Sequence, residues 1–244
     1  MLLTENDLKT YTFKIDITSG VVSVASKNID NTIINSRENE IDITFDEKQP
    51  TPLCEIMGRN RSDKGHLDII NCWHNYTTFY YKLFAPLRER KLRIFELGLG
   101  TTNIYIPANM GIYGRPGASH YGWAEFFPNA DIFGADIDTD ILFNNDRIKT
   151  FFCDQTKPIF IEKLWFEPAL EEKFDIIIDD GLHTFNGNSC FFENSIHKLN
   201  PNGYYIIEDI TIKEEQLYIE KLKEWENKYT DCLFKYIKIP SQRN

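Results

Sequence analysis

Basic patches and long apolar runs are both missing from this sequence. Its 244 residues include 27 Lys and Arg against 37 Asp and Glu, a formal net charge of −10, and no stretch gathers the cationic residues together. Because proteins that bind the phosphate backbone need such a patch, we expect no nucleic-acid partner. No apolar run is long enough to cross a bilayer, and the N-terminus lacks the cationic and apolar regions of a secretory signal. These absences predict a cytoplasmic protein with no membrane association.

Cysteines are few and show no CxxC spacing. They number five and are scattered along the chain: Cys54, Cys72, Cys153, Cys190 and Cys232. An odd, scattered set indicates reduced thiols rather than a disulfide framework, and it also disfavours a zinc site. The sequence leaves open whether the protein forms a homo-oligomer.

The apolar residues are sufficient for one full-sized domain preceded by a small appendage. Residues 1–50 contain short stretches in which apolar and polar residues alternate between turn residues, which predicts a β-rich N-terminal appendage. We expect Pro50 and Pro52 to interrupt regular structure and to mark the boundary of a main domain at residues 51–244.

The main domain alternates between predicted strands and helices. A helical pattern covers residues 66–85, and an amphipathic helix at 213–229 precedes a last strand at 232–240. Between them lie five short, nearly continuous apolar runs, typical of parallel strands covered on both faces: 93–97, 131–136, 148–153, 174–179 and 203–208. The predicted fold class is α/β, a doubly wound, mostly parallel αβα sheet of the Rossmann-like type, which binds ligands at the carboxyl ends of its strands.

Polar or glycine residues follow the first three of these strands. Gly98 and Gly100 permit a tight turn against which a cofactor can lie. Asp136, at the end of the second strand, is placed to accept hydrogen bonds from a ribose diol. Asp154 and Gln155 follow the third strand, where they could meet the amine of adenine. Taken singly, each is as easily an ordinary loop residue, but together they favour an adenosine-containing cofactor.

A second constellation lies at the ends of the fourth and fifth strands. Asp180 and His183 follow the fourth strand, and Glu208 and Asp209 follow the fifth. Three carboxylates on neighbouring strand ends repel one another unless a cation neutralises them, and hard oxygen ligands suit Mg²⁺ or Mn²⁺. Such an ion lowers the pKa of a hydroxyl group, and His183 could then accept its proton. The alternative is that these residues cap helices or lie solvated in loops.

Two motifs carry a resemblance to known enzymes. E-x-G-x-G from Glu96 to Gly100, with G-x-D and a further Asp on the next two strands, resembles the class I S-adenosylmethionine (SAM)-dependent methyltransferases. The third glycine of the dinucleotide fingerprint is replaced by Asn103, which argues against NAD. The D-D-G-x-H motif followed by E-D resembles the macrocin/mycinamicin-type sugar O-methyltransferases, although Leu182 stands where that family usually has Ser.

The resemblance, which runs from about Arg61 to Asp209, implies roles for individual residues. Asp180, Glu208 and Asp209 would be metal ligands, and His183 the general base. The remaining candidates would contact SAM: Glu96, Gly98, Gly100, Ser119, Asp136, Asp154 and Gln155, with Lys64 and Tyr76 at its carboxylate end. The family sheet also ends with a seventh, antiparallel strand, for which only residues 241–244 remain after the last predicted strand. The glycine- and aromatic-rich segment 109–130 would face the acceptor.

The predicted activity is O-methylation of a sugar hydroxyl that depends on SAM and on Mg²⁺ or Mn²⁺. The abundance of Asn, Ile, Lys and Tyr is typical of AT-rich bacterial genomes, which favours a nucleotide-linked sugar for surface or capsular polysaccharide over an antibiotic glycoside. Three alternatives stay open: methylation of a phenol, phosphate-like group or natural product, a non-catalytic SAM-binding protein, and an NAD-linked epimerase or dehydrogenase. The last is disfavoured because no Tyr-x-x-x-Lys pair stands in a suitable place.

Overall fold

The computed structural model describes residues 18–26, 50–65 and 74–240. The strands are β1 (Thr18–Ser26), β2 (Arg93–Leu97), β3 (Asp131–Asp136), β4 (Ile148–Phe152), β5 (Phe174–Asp179), β6 (Leu199–Ile210) and β7 (Cys232–Pro240). The helices are α1 (Pro52–Asn60), α2 (Tyr76–Phe84), α3 (Ala118–Phe126), α4 (Pro158–Trp165), α5 (Phe185–Ser195) and α6 (Glu215–Lys228). None of the helices in these ranges has the length and apolar character needed to span a membrane.

One sheet contains all seven strands, in the order β4-β3-β2-β5-β6-β1-β7. Neighbouring strands from β4 to β6 are parallel, as predicted. The predicted bounds of β2, β3, β5 and β7 are confirmed, whereas β4 ends one residue early and β6 extends in both directions. The Rossmann-like αβα fold is therefore confirmed.

The central strands are buried on both faces, which explains their unbroken apolar sequences. Ile94 and Ile176 pack with α1, α2 and α3 on one side of the sheet. Their neighbours Phe95 and Ile177 pack with α4, α5 and α6 on the other side. Since successive side chains of a strand point to opposite faces, each apolar run supplies both cores at once.

Strand β1 comes from the segment predicted to form the appendage, and it joins the main sheet. It pairs antiparallel with β6 on one side and with β7 on the other. The antiparallel strand that the family resemblance implies near this edge is thus supplied by residues N-terminal to the core. The other strands predicted within residues 1–50, the first part of the helix predicted at 66–85, and Cys72 lie outside the described residues. The domain boundary near residue 50 stays a prediction.

The expectation that Pro52 interrupts regular structure is wrong. Pro52 is the first residue of α1, and the hydroxyl of Thr51 caps the helix by accepting a hydrogen bond from the Cys54 N–H at 3.2 Å. Proline is favoured at this position because the N–H it lacks would have no partner inside the helix. Proline, which interrupts a helix at interior positions, therefore begins one here.

Candidate functional site

A cavity of about 540 Å³ opens at the carboxyl ends of the central strands, a volume typical of small-molecule sites. Strands β3 and β4 lie on one side of β2, and β5 and β6 lie on the other. Ligands of α/β sheets bind at such a reversal of strand order. The wall includes the glycine turn after β2, the loop 106–110 and the ends of β3 and β4. It also includes the loop that follows β5 and Asp209 near the end of β6.

Contacts within the protein leave no space for side chains at the two glycines of the turn after β2. Gly98 has a φ of 95°, and a Cβ atom there would lie 2.0 Å from the carbonyl oxygen of Asp180. Gly100 has a φ of 76°, and its Cβ would lie 2.2 Å from Sδ of Met110. Both residues line the cavity. The close approach of the loop after β5 therefore requires glycine at position 98 whether or not a cofactor is present.

Asp136 lines the cavity at the end of β3. Its Oδ2 accepts a hydrogen bond from the Leu99 N–H at 2.7 Å, and its Oδ1 accepts one from the Asp138 N–H at 2.8 Å. Burial raises the pKa of Asp136, against the effect of these two hydrogen bonds. Because each carboxylate oxygen has a further lone pair, the predicted contact with a ribose diol remains compatible with this geometry.

Asp154 and Gln155 also line the cavity, but their polar groups already have partners in the protein. Asp154 accepts hydrogen bonds from Thr156 and forms a 2.9 Å ion pair with Lys157. The Gln155 amide donates to Asp179 at 3.2 Å and accepts from the Leu182 N–H at 2.6 Å. Gln155 therefore holds the loop after β5 in place, and its predicted contact with adenine stays a prediction.

Three residues of the acidic constellation meet at the cavity wall, and we call Asp180, His183 and Asp209 the outer group. His183 Nε2 lies 3.1 Å from Asp180 Oδ1, and His183 Nδ1 lies 3.5 Å from Asp209 Oδ2. One ligand atom from each of the three lies within 4.8 Å of the others. The two carboxylates fit a divalent cation that also binds water or substrate oxygens, and the imidazole of His183 lies beside them.

Backbone strain places two of these side chains. His183 and Asp209 each have a φ of 57°, in the left-handed region that residues other than glycine seldom adopt. The pairing of β1 with β6 also shifts register, since Gly20 pairs with Ile210 but Val22 with Ile207. Strand β6 thus has one residue more than β1 here, at Glu208 and Asp209, which is a β-bulge. Bulges redirect side chains and occur often beside active sites, where strained residues also cluster.

Beneath the outer group lies a buried ionic cluster, and we call Lys64, Glu96 and Glu208 the inner group. The Lys64 ammonium lies 2.7 Å from Glu208 Oε2 and 3.1 Å from Glu96 Oε1, and it reaches Asp180 Oδ2 at 2.5 Å. The Tyr80 hydroxyl donates a hydrogen bond to the other oxygen of Glu208. All three members of the inner group are at most 1% exposed, whereas the outer side chains are 20–26% exposed.

The two groups differ in how their charges are balanced. Burial alone would lower the pKa of Lys64, yet the carboxylates of Asp180, Glu208 and Glu96 hold it well above its usual value. Burial would also raise the pKa of Asp180, but Lys64 and His183 keep it well below its usual value. Burial opposes the charge on His183, while Asp209 and Asp180 raise its pKa to about 10. Without a bound cation, His183 is therefore an imidazolium ion at neutral pH.

The predicted site residues divide into two sets. Those that line the cavity are Gly98, Gly100, Ser119, Asp136, Asp154, Gln155, Asp180, His183 and Asp209. Lys64, Glu96 and Glu208 form the inner group, and the Tyr76 hydroxyl donates a hydrogen bond to Asp209. The predicted metal ligands are thus contiguous, but only Asp180 and Asp209 reach the cavity. The cofactor contacts predicted for Lys64, Tyr76 and Glu96 stay predictions, because these residues do not line it.

Three further cavity residues lie upstream of β2, in the region that the family resemblance covers, and had no predicted role of their own: Ser62, Asp63 and His74. His74 Nε2 lies 3.6 Å from Asp209 Oδ1, and its ring stacks on Tyr76 with centroids 4.5 Å apart. The available signal was their place within the stretch from about Arg61 to Asp209, which resembles the sugar O-methyltransferases. Spacing alone could not show that this segment faces the acidic end of β6.

Comparison with known proteins finds relatives for part of the chain. The 3'-O-methyltransferase of 8-demethyl-8-(2-methoxy-alpha-L-rhamnosyl)-tetracenomycin C from Streptomyces olivaceus is 32% identical over 162 residues, or 66% of this chain and 37% of the relative. The mycinamicin VI 2''-O-methyltransferase of Micromonospora griseorubida is 31% identical over 137 residues, or 56% of this chain and 32% of the relative. No family model matches the chain.

A solved structure agrees with these relatives. MycE methyltransferase of the mycinamycin biosynthetic pathway, in complex with Mg and SAH, superposes with a TM-score of 0.52 at 26% identity. The match covers 65% of this chain and 37% of MycE, so the chain spans little more than a third of the proteins it resembles. The fold, the motifs on successive strand ends and these relatives agree, and the chain belongs to the class I SAM-dependent methyltransferases of the macrocin/mycinamicin type.

Proposed function

We propose that this protein is a SAM-dependent O-methyltransferase that uses a divalent cation, Mg²⁺ or Mn²⁺, to methylate a sugar hydroxyl. The observation that carries the proposal is the outer group, in which two carboxylates and a histidine meet on the wall of the cavity. The ends of β2, β3 and β4 form the remainder of the same wall and would hold the cofactor. MycE, which was solved with Mg and SAH, supports both cofactors.

The residues of this chain would divide the work of methyl transfer. Asp136 would orient the ribose, and Asp180 and Asp209 would hold the cation. A bound divalent cation lowers the pKa of a nearby hydroxyl and so favours its deprotonation. His183 can accept that proton once another cation balances Asp180 and Asp209, because its own charge then becomes less favourable. The oxygen would attack the methyl carbon of SAM, and the carbon–sulfur bond would break to leave S-adenosylhomocysteine.

The sugar that accepts the methyl group could be carried by either of two kinds of molecule. The named relatives methylate sugars attached to antibiotics, as in mycinamicin VI and rhamnosyl tetracenomycin C, which favours a glycoside. Residue composition favours instead a nucleotide-linked sugar for a surface polysaccharide. A vicinal diol suits both, since two adjacent oxygens can chelate one cation.

Transfer of a labelled methyl group to a panel of acceptors tests the proposal. The panel comprises a rhamnosyl glycoside, a nucleotide-linked rhamnose and a catechol, each with Mg²⁺ and with EDTA. We expect methylation of a sugar hydroxyl that EDTA abolishes. Methylation of the catechol alone would point to a non-sugar acceptor. Tight binding of SAH without transfer to any acceptor would instead support a non-catalytic SAM-binding protein.

A further inference from the structure

Lys64 is an unusual residue to find at the centre of a predicted metal site. It is 1% exposed, and its ammonium contacts three carboxylates that come from three different parts of the chain, Glu96, Asp180 and Glu208. These distances, 2.5–3.1 Å, are those of direct ion pairs. Burying an ammonium ion is costly, so such a lysine remains charged only where several anions surround it.

Glu208 is committed to this arrangement through both of its oxygens. One oxygen contacts Lys64, and the other accepts a hydrogen bond from Tyr80. The Tyr80 ring is fixed in turn by an edge-on contact with Trp123, with centroids 5.5 Å apart. Lys64 thus joins the segment before α2 to the ends of β2, β5 and β6 from below the cavity.

We infer that Lys64 is a permanent internal counter-cation of the acidic site, which balances part of its negative charge and leaves the remainder for one divalent cation. Its role is to position Asp180 and Glu208 rather than to contact the cofactor. One ammonium cannot balance three carboxylates, so the site stays anionic in its presence. This inference rests on the proposed function only for the presence of a metal site.

If Lys64 balances charge in this way, its removal should increase the response of the protein to Mg²⁺. Removal of a lysine that only fills space would not have this effect. Removing the ammonium leaves the carboxylates short of positive charge, and an added divalent cation should then stabilise the protein more than before. Ligand-induced stabilisation grows as the dissociation constant falls. The measurement is therefore the rise in Tm caused by 10 mM MgCl₂ relative to EDTA, compared between the wild-type chain and Lys64→Met.

We expect the Mg²⁺-induced rise in Tm to be at least twofold larger for Lys64→Met than for the wild type. Lys64→Arg, which keeps the charge, should resemble the wild type. The double variant Lys64→Met/Glu208→Gln, which removes both partners of the Lys64–Glu208 contact, should return towards the wild-type response. Lys157→Met is the matched control, because Lys157 pairs with the cavity residue Asp154 but is 59% exposed.

Other results of the same measurement would contradict, support or reassign the role of Lys64. An equal or smaller Mg²⁺ response of Lys64→Met would overturn the counter-cation role. If that variant folds only when Mg²⁺ is present, the role is supported. If Mg²⁺ raises the Tm of Lys64→Met but not that of the wild type, the metal of the proposed function is contradicted. The charge-balancing role of Lys64 is then still supported. A Kd for SAH that rises more than tenfold in Lys64→Met, with Mg²⁺ present, would assign Lys64 to the cofactor instead.

Discussion

The outer and inner groups use similar side chains for different purposes. In the outer group a histidine, whose charge can change, lies between two carboxylates on the cavity wall. In the inner group a lysine, whose charge is fixed by its surroundings, lies between buried carboxylates. Burial therefore distinguishes the charged groups that can take part in a reaction from those that position them. Solvent and ligands can reach the outer charges, whereas the inner charges act only on their neighbours.

Replacing the outer histidine should have the largest effect on activity. His183→Ala removes the proposed proton acceptor, and general bases commonly contribute about 10²–10⁴ in rate. We expect kcat for methyl transfer to fall by that factor while the Kd for SAH changes little, as measured by isothermal titration calorimetry. His197→Ala is the control, because His197 does not line the cavity, and it should retain full activity. Unchanged kcat in His183→Ala would remove the histidine from the mechanism.

Replacing the inner glutamate should have the largest effect on stability. Glu208→Ala removes one buried ion-pair partner of Lys64 and the hydrogen-bond acceptor of Tyr80. Breaking a buried ion pair costs about 3–5 kcal/mol. Urea denaturation should show this loss in the free energy of unfolding. The comparison is Glu224→Ala, whose carboxylate pairs with Lys221 but is 61% exposed, and for which we expect less than about 1 kcal/mol. Similar losses for both variants would contradict the distinction between the groups.

The pH dependence of stability should reveal the charge on His183. Its pKa is raised from 6.5 to about 10 in the folded protein, mainly by Asp209 and Asp180 acting against burial. The stabilisation is therefore complete below about pH 6.5 and is lost as the pH rises through about 10. In EDTA, the free energy of unfolding should fall between pH 7 and pH 10 by up to about 1.4 kcal/mol per pH unit. His183→Asn should lack this slope, and a slope that persists in the variant would assign it to another group.

Loss of a single hydrogen bond to the outer group should have the smallest effect. Tyr76→Phe removes the hydroxyl that donates to Asp209, at an expected cost of about 1 kcal/mol. The Tm of Tyr76→Phe should therefore fall slightly, while Tyr113→Phe, which alters a tyrosine that is 69% exposed, should leave it unchanged. A much larger loss for Tyr76→Phe would show that this hydroxyl supports more than one carboxylate.

Much of the fold and part of the site could be predicted from the sequence. Unbroken apolar runs identified the parallel strands, and parallel strands bring their carboxyl ends to one edge, which is why Asp180 and Asp209 could be expected together. The separation of Glu208 from Asp209 could not be predicted. Asp209 has a left-handed backbone and lies in a β-bulge, and the bulge exists only in the pairing of β6 with the distant strand β1.

The αβα architecture, the order of acidic residues on the strand ends and the resemblance to a methyltransferase family can all be derived from the amino-acid sequence. These features depend on local periodicity and on short motifs, and each of them lies within one continuous stretch of the sequence. Three features became visible only in the folded protein: β1 enters the main sheet, the Asp180 backbone requires glycine at position 98, and Lys64 lies among the carboxylates. Each of these is a contact between residues far apart in the chain, and burial gives such a contact its strength.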